Sequence, residues 1–217
     1  MLNAVKGPGL RGAVSEAEWD AVEVTFAANR SPVAVDVSPF AESLFFELLR
    51  ARGYRIGGFE NVLYRQIDAA NSRPESLKQG WELELVTPAR AELWTSIMNR
   101  GFSNEGPEPP FSVNFGKVRA TLANAMMLLL LIDGAPAAGA ALSCSEGVAH
   151  FGGAAVLPAY RGRGAQRALT AARIELAHEQ GCDVAKLDVL GGSISHRNAA
   201  ASGFAVAYTR PQMVKTL

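Results

Sequence analysis

The residues best able to do chemistry in this sequence are concentrated in the stretch 150–180, HFGGAAVLPAYRGRGAQRALTAARIELAHEQ. An apolar run ends at Val156-Leu157-Pro158, and a turn follows in which Arg161 and Arg163 alternate with Gly162 and Gly164. After it, Ala165, Ala168, Leu169, Ala172 and Leu176 recur at helical spacing. The order is strand, glycine-rich turn, helix. A helix start exposes unpaired backbone N–H groups and the positive end of a dipole. Glycines let that backbone come close to an anion, so the turn is a candidate pyrophosphate cradle. Arg161, Arg163 and Arg167 add positive charge at the same place. The plain alternative is a solvated basic turn before an ordinary helix.

Two better-known phosphate signatures are excluded. The glycine spacing does not fit G-x-G-x-x-G, and no Gly-Lys-Ser/Thr follows the turn. Nucleic-acid binding through RGRGAQR is disfavoured as well, because the formal net charge is zero and no aromatic series accompanies the arginines.

The run Val156-x-Pro158-x-Tyr160-Arg161-Gly162-Arg163-Gly164-Ala165-x-x-Ala168-Leu169 resembles the acyl-CoA-binding motif of the GNAT superfamily of N-acetyltransferases, whose signature is Arg/Gln-x-x-Gly-x-Gly/Ala. Arg161 and Gly164 fit it, while Gln166 stands where a small residue is usual. The resemblance implies acetyl-CoA (coenzyme A) as co-substrate. The pyrophosphate would be held by backbone N–H groups of Gly162, Arg163, Gly164, Ala165 and Gln166, with Arg161 opening the motif. The strand before the turn and the strand after the helix splay apart in that family, and the pantetheine arm lies between them. That assigns the arm to the backbone of Ala154, Ala155, Val156 and Leu157, with a Val156 N–H polarising the thioester.

The reaction of such enzymes needs a neutral amine, a polarised carbonyl and a proton for the departing thiolate. Here the sequence departs from the family. A tyrosine is usual about four residues before the Gly-Phe pair, and this chain has Ala199, then Ala200. Ser195, Tyr208 or bulk water remains to supply the proton. Ser193 is a further hydroxyl, equally suited to capping a helix. Asn198 is a candidate ligand of the pantetheine. His150, Glu105 and Glu108 are the candidate bases, and imidazole has the advantage of titrating near neutrality. Phe102, Asn104, Glu105, Glu108, Phe111 and Phe115 fall in or beside the loop that would line the acceptor pocket. The expected activity is transfer of an acetyl group to an amine of a small molecule or protein by direct attack in a ternary complex. The alternative is a regulatory or structural CoA-binding module with little turnover.

These residues need a scaffold, and the rest of the chain supplies one. Hydrophobic residues make up 48% of the 217, enough for a sizeable core. Two cysteines in a chain this long suggest a reducing compartment and not a disulfide framework. The N-terminus lacks a continuous apolar region, so it does not read as a signal peptide. The run AMMLLLLI is too short for a bilayer and ends at Asp133-Gly134, a turn signal. The expected setting is cytoplasmic, with no nucleic-acid or membrane partner, as a monomer or homodimer.

In order, Ser15-x-x-Glu18 is a capping box that opens a helix ending near Asn29. A strand covers 33–37. Ser38-Pro39 should open the next helix, which stops at Gly53. A hairpin about Gly57-Gly58 should follow. A polar linker covers 69–79, then a strand at 81–86 and a helix opened by Thr87-Pro88. The stretch 101–110 should be neither helix nor strand, and 111–123 resumes a helix. A meander of three strands covers 126–156, turning at Asp133-Gly134 and Glu146-Gly147. Beyond the central helix come a strand at 184–190, a short helix near 196–201 and paired strands at 204–208 and 212–214.

The fold class is therefore α/β, a largely antiparallel sheet flanked by helices, with the GNAT-like order covering about 80–217. Residues 13–68 repeat the order of the C-terminal part: Val35-Asp36-Val37 aligns with Leu187-Asp188-Val189, and Arg52-Gly53-Tyr54 with Ser202-Gly203-Phe204. The expected division is a partial copy at 1–70 and an acetyl-CoA-binding domain at 71–217. Gly7, Gly9 and Gly12 stand before the N-terminal helix but with no apolar strand ahead of them, so no cofactor is expected there.

Overall fold

The computed structural model describes residues 4–72, 76–102 and 114–216. Along the chain run β1 (Val5–Lys6), α1 (Glu16–Ala28), β2 (Val33–Asp36), α2 (Ser43–Ala51), β3 (Arg55–Gln66), β4 (Trp81–Leu85), α3 (Ala91–Phe102), α4 (Asn114–Ala120), β5 (Ala125–Ile132), β6 (Ala135–Ser145), β7 (Val148–Val156), α5 (Ala165–Glu179), β8 (Val184–Leu190), α6 (Ile194–Ala201) and β9 (Ala205–Lys215). The class is mixed α/β, with mostly antiparallel strands and flanking helices. The chain divides into two compact units. One holds Met1–Leu63, Asp188–Arg197 and Val206–Leu217; the other holds Tyr64–Leu187 and Asn198–Ala205.

In the first unit β1 pairs parallel with β2, β2 pairs antiparallel with β9, and β9 is followed by β3. The capping box at the start of α1 is formed: Glu18 N donates to Ser15 Oγ, and Ser15 N donates to Glu18 Oε2 at 2.8 Å. Trp19, Val35, Phe45, Leu49 and Tyr54 fill the core. Buried Trp19 keeps its indole N–H satisfied by donating to Tyr54 Oη at 3.1 Å, and Tyr54 donates to Glu23 at 3.0 Å. Buried Arg210 meets Asp36 at 3.0 Å, Glu60 at 3.0 Å and Asp188 at 3.4 Å.

Four local expectations are corrected here. Helix α2 begins at Ser43, because Ser38 and Pro39 are spent on a tight turn: Ala41 N donates to Ser38 O, and Phe40 N to Ser38 Oγ. Strand β3 runs straight through Gly57-Gly58 with no hairpin. Gly57 serves close packing, since a Cβ there would run into the Val214 side chain. Likewise β9 is one strand through Pro211, whose carbonyl accepts from Val37 N at 3.0 Å. The N-terminal glycines do follow a strand, the short β1.

In the second unit β4, β5, β6 and β7 form an antiparallel series. Its two tight turns each have two residues at positive φ, Asp133 and Gly134 at 51° and 77°, Glu146 and Gly147 at 50° and 77°. That is the backbone twist a two-residue hairpin requires. Met127, Leu129 and Leu131 of β5 pack with Trp94, Ile97 and Met98 of α3. Leu128, Leu130 and Ile132 point the other way and are buried too. Burial on both faces is why this strand reads as an unbroken apolar run. Helix α3 extends through Gly101 and Phe102, beyond the expected break; residues 103–113 lie outside the described residues. Both cysteines are free, and burial together with the hydrogen bond its thiol makes to Cys182 pushes the Cys144 thiol up to about 12. No described helix is long and apolar enough to cross a membrane.

Strand β9 lies between β2 and β3. A chain shortened to begin at Arg73 loses both neighbours and exposes two strand edges. It should be insoluble or unfold at a much lower temperature than the full chain in calorimetry. A soluble monomer of unchanged stability would contradict this.

Candidate functional site

The glycine turn is shaped by two left-handed residues, Gly162 at φ 73° and Gly164 at φ 95°. Other residue types disfavour that region, which accounts for glycine at both positions. Gly164 is the N-cap of α5 and contributes no side-chain hydrogen bond, and no acid stands in the first turn of the helix. The first intrahelical bond runs from Ala168 N to Gly164 O. The N–H groups ahead of Ala168 have no acceptor within the helix itself.

The charges around the turn are not equivalent. Arg161 folds back, donating from Nε to Val156 O at 3.2 Å and from Nη2 to Gly101 O at 2.9 Å. It fastens the turn to the end of β7 and to the C-terminal carbonyls of α3, where a cation also complements the helix dipole. Arg163 rests over the Tyr160 ring, 5.5 Å from its centroid. Lys78 donates to Arg163 O at 2.6 Å and steadies the turn from the other side. A cavity of about 290 Å³ opens there, lined by Lys78, Trp81, Gly164, Arg167 and Glu175 among others.

Strand β7 carries the second feature. Its parallel ladder with β8 stops at His150–Lys186, although β7 continues to Val156. Against β6, Ala140 pairs with Ala154 and Leu142 with Phe151, so Ala141 faces both Gly152 and Gly153. This is a β-bulge, which bends and twists the strand that carries it. Beyond it, Leu157 N donates to Ala137 O. Backbone groups alternate in direction, so Val156 and Ala154 point their N–H groups away from β6, toward the side β8 has left. Ala155 points toward β6. Leu157 has its N–H bonded to Ala137 O, and its carbonyl accepts from Tyr160 N.

The bulge is held by Arg173 of α5, which is 3% exposed. Its guanidinium donates to Gly152 O at 3.3 Å and to Ala141 O at 3.5 Å, and Nε donates to Leu169 O at 3.2 Å. It also stands over the Phe151 ring at 4.5 Å. Burial pushes its pKa down to about 9. Sequence reading missed this residue, which looks like one more polar position on an ordinary helix. The signal that was available is Gly152-Gly153, adjacent glycines inside an apolar strand, a common mark of a bulge.

The other candidates are placed as follows. His150 is half-buried on β7, at the last rung shared with β8. Ser193 caps α6, accepting from His196 N at 3.1 Å. Ser195 is exposed in the first turn of that helix, and Asn198 is exposed further along it. Ala199 is buried. Tyr208 on β9 packs edge-on against Phe40, ring centroids 5.4 Å apart. Phe102 ends α3 with its ring against Gly153, and Phe115 packs on Trp94. Asn104, Glu105, Glu108 and Phe111 lie outside the described residues. Among the described residues, no group of three His, Cys, Asp or Glu side chains is placed to hold a metal ion.

Arg173→Ala should remove the donors of both bulge carbonyls and leave a void. Urea unfolding should show a loss of roughly 2–5 kcal/mol, the range for emptied core sites and unpaired buried polar groups. A change below about 0.5 kcal/mol, the surface-substitution range, would mean the bulge needs no such clasp.

A family model described as "Acetyltransferase (GNAT) family" matches residues 91–204, more than half of the chain. Among proteins of curated function, none matches it in sequence. Solved structures share the fold. A GCN5-related N-acetyltransferase from Kribbella flavida is 19% identical, with TM-score 0.66 over 92% of this chain and 74% of that one. A tandem GNAT protein from the clavulanic acid biosynthesis pathway is 15% identical, with TM-score 0.63 over 91% and 68%. AAC(6')-Iy, solved with a CoA-containing bisubstrate analogue, is 20% identical, with TM-score 0.51 over 59% and 92%. By the family match, which spans the glycine turn, the bulged strand and the buried arginine beneath it, this chain belongs to the GNAT acetyltransferase family.

Proposed function

We propose that the protein is an acetyl-CoA-dependent N-acetyltransferase that acts on an amine of a small molecule or peptide by direct attack in a ternary complex. The observation that carries this reading is the uncapped start of α5 beside a strand whose outer backbone edge has lost its partner. The first fits a pyrophosphate and the second fits an extended arm with amide groups. Acetyl-CoA, when bound, supplies an acetyl thioester open to attack by an amine.

The chain's own residues divide the remaining work. Backbone N–H groups of Gly162, Arg163, Gly164, Ala165 and Gln166 would hold the pyrophosphate. The long Gln166 side chain is half-buried on the helix, and it is the N–H groups that would do the binding. Ala154 and Val156 would hold the arm, and the Val156 N–H would face the developing oxyanion. Asn198 is the further candidate for the arm. His150 would take the proton from the incoming ammonium. With Ala199 in place of a tyrosine, the proton for the thiolate is left to Ser195, Tyr208 or water.

The N-terminal segment would complete the architecture and hold no cofactor. Its helix α1 has its own carboxylates, Glu16 and Glu18, in the first turn, and Glu18 is locked to Ser15 by the capping box. That hydrogen bond lowers the Glu18 pKa, so the position stays anionic and repels phosphate.

Two outcomes are expected. Gly164→Glu would bring a negative charge to the phosphate position and force a non-glycine residue into the left-handed region. Calorimetry with CoA should show binding lost in a protein whose circular dichroism is unchanged; retained affinity would refute the assignment. No single side chain should be an indispensable acid. General acids contribute about 10²–10⁴-fold, so Ser195→Ala, Asn198→Ala and Tyr208→Phe should each cost less than the top of that range in kcat. If one falls to background with CoA affinity intact, that residue is the acid.

A further inference from the structure

We infer that Arg119 reads the acceptor, and that the acceptor amine carries an anionic group, a carboxylate, near the nitrogen that is acetylated. This rests on the N-acetyltransferase reading above and names its substrate class.

Helix α4 is fixed firmly enough to aim a side chain. Gly116 N donates to Thr95 Oγ1 at 3.1 Å, and a Cβ on Gly116 would run into Thr95 Oγ1 and Ala91 O of α3. Lys117 pairs with Glu92 and ties the two helices together again. Arg119 stands three residues after Gly116, on the neighbouring helix surface. Its Nη2 lies 3.2 Å from the point a Cβ on Gly152 would occupy. The guanidinium therefore rests directly over the bulge of β7. Phe151 turns toward Arg173 on α5, so its neighbours His150 and Gly152 face the other way, toward the α4 side. Arg119 thus shares a face of β7 with the candidate base.

What marks Arg119 is that no described residue answers its charge. Among the described residues its buried Nε has no hydrogen-bond partner and no carboxylate forms an ion pair with it. Burial alone lowers its pKa. The two fully buried arginines have partners for their charge: Arg173 has carbonyls, a hydroxyl and a ring, and Arg210, whose Nε also lacks a partner, meets three acids through Nη2. A guanidinium held half-buried without a partner is costly to keep. A carboxylate that enters beside Gly152 would answer it, and the planar fork matches a carboxylate bidentately. Glycine at 152 leaves the space. The same charge repels a second ammonium, so polyamine-like acceptors are disfavoured.

The test is an acetyl-CoA thiol-release assay on amines in matched pairs, amino acids against their amides and against diamines, with acetyl-CoA affinity measured by calorimetry. The acid of each pair should exceed its amide in kcat/KM by about 10–100-fold, the value of a hydrogen-bonded charge pair. Arg119→Gln should collapse that ratio toward one through KM, Arg119→Lys should keep part of it, and acetyl-CoA affinity should hold in both. If amides or diamines are preferred, or if Arg119→Gln keeps the ratio, this inference falls while the transferase reading stands. If no amine turns over, calorimetry of the same acids and amides on the CoA-saturated protein applies the same ratio. If acetyl-CoA does not bind at all, the transferase reading falls and takes this inference with it.

Discussion

One mismatch, two residues of β7 set against one of β6, governs the geometry of the site. Gly152 and Gly153 share Ala141 as their partner, and the strand twists as it absorbs the extra residue. A bulge leaves carbonyls badly placed for the ladder, and in a buried sheet they need donors from elsewhere. Arg173 supplies them from α5, and its guanidinium reaches Ala141, Gly152 and Thr170 from one rigid fork. A lysine has the charge but not the fork. Taking an arginine out of water is costly, and the depressed pKa records that cost. The Phe151 ring and the carbonyls offset it.

The bulge then determines what lies on either side. Below it β7 keeps its ladder with β8; above it the two strands share no rung. The open edge would be a liability on a surface strand. Here Arg161 occupies part of it by bonding Val156 O, and the Val156 N–H remains directed outward. Arg161 also reaches Gly101 O, where helix α3 comes so close that a Cβ on Gly101 would press on Ala155 and the Val156 backbone. The glycine turn, the open strand and helix α3 are thus joined through one side chain. In the sequence Arg161 reads as part of the phosphate motif; in the fold its guanidinium also bonds Val156 O and Gly101 O.

The legible parts of the sequence are those encoded locally. The capping box at Ser15, the turns at Asp133-Gly134 and Glu146-Gly147, and the RGRG turn each depend on a few consecutive residues, and each formed as read. The misreadings share a cause. Gly57-Gly58 and Pro211 carry turn signals but sit inside long strands, because packing against Val214 and a bond to Val37 N outweigh local preference. The Ser38-Pro39 helix start failed similarly, since that chemistry serves a turn equally well. Arg119 and Arg173 were invisible, because nothing in their neighbours along the chain says that each will meet the same strand. Their meaning comes from Gly152, which lies far from Arg119 in sequence and close to it in space.

The placement of cations and acids around α5 sets it apart from α1. A helix start draws anions through its dipole, and most helices satisfy it with their own residues, as α1 does with Ser15 and Glu18. Helix α5 forgoes that. It opens on glycine, keeps acids out of its first turn, and has Lys78 and Arg163 at hand. An unsatisfied start destabilises a helix by an amount of the order of one missing cap, about 1 kcal/mol. Burial of Leu169, Ala172, Ile174 and Ala177 on its inner face offsets that readily. The helix is therefore stable without a side-chain cap of its own.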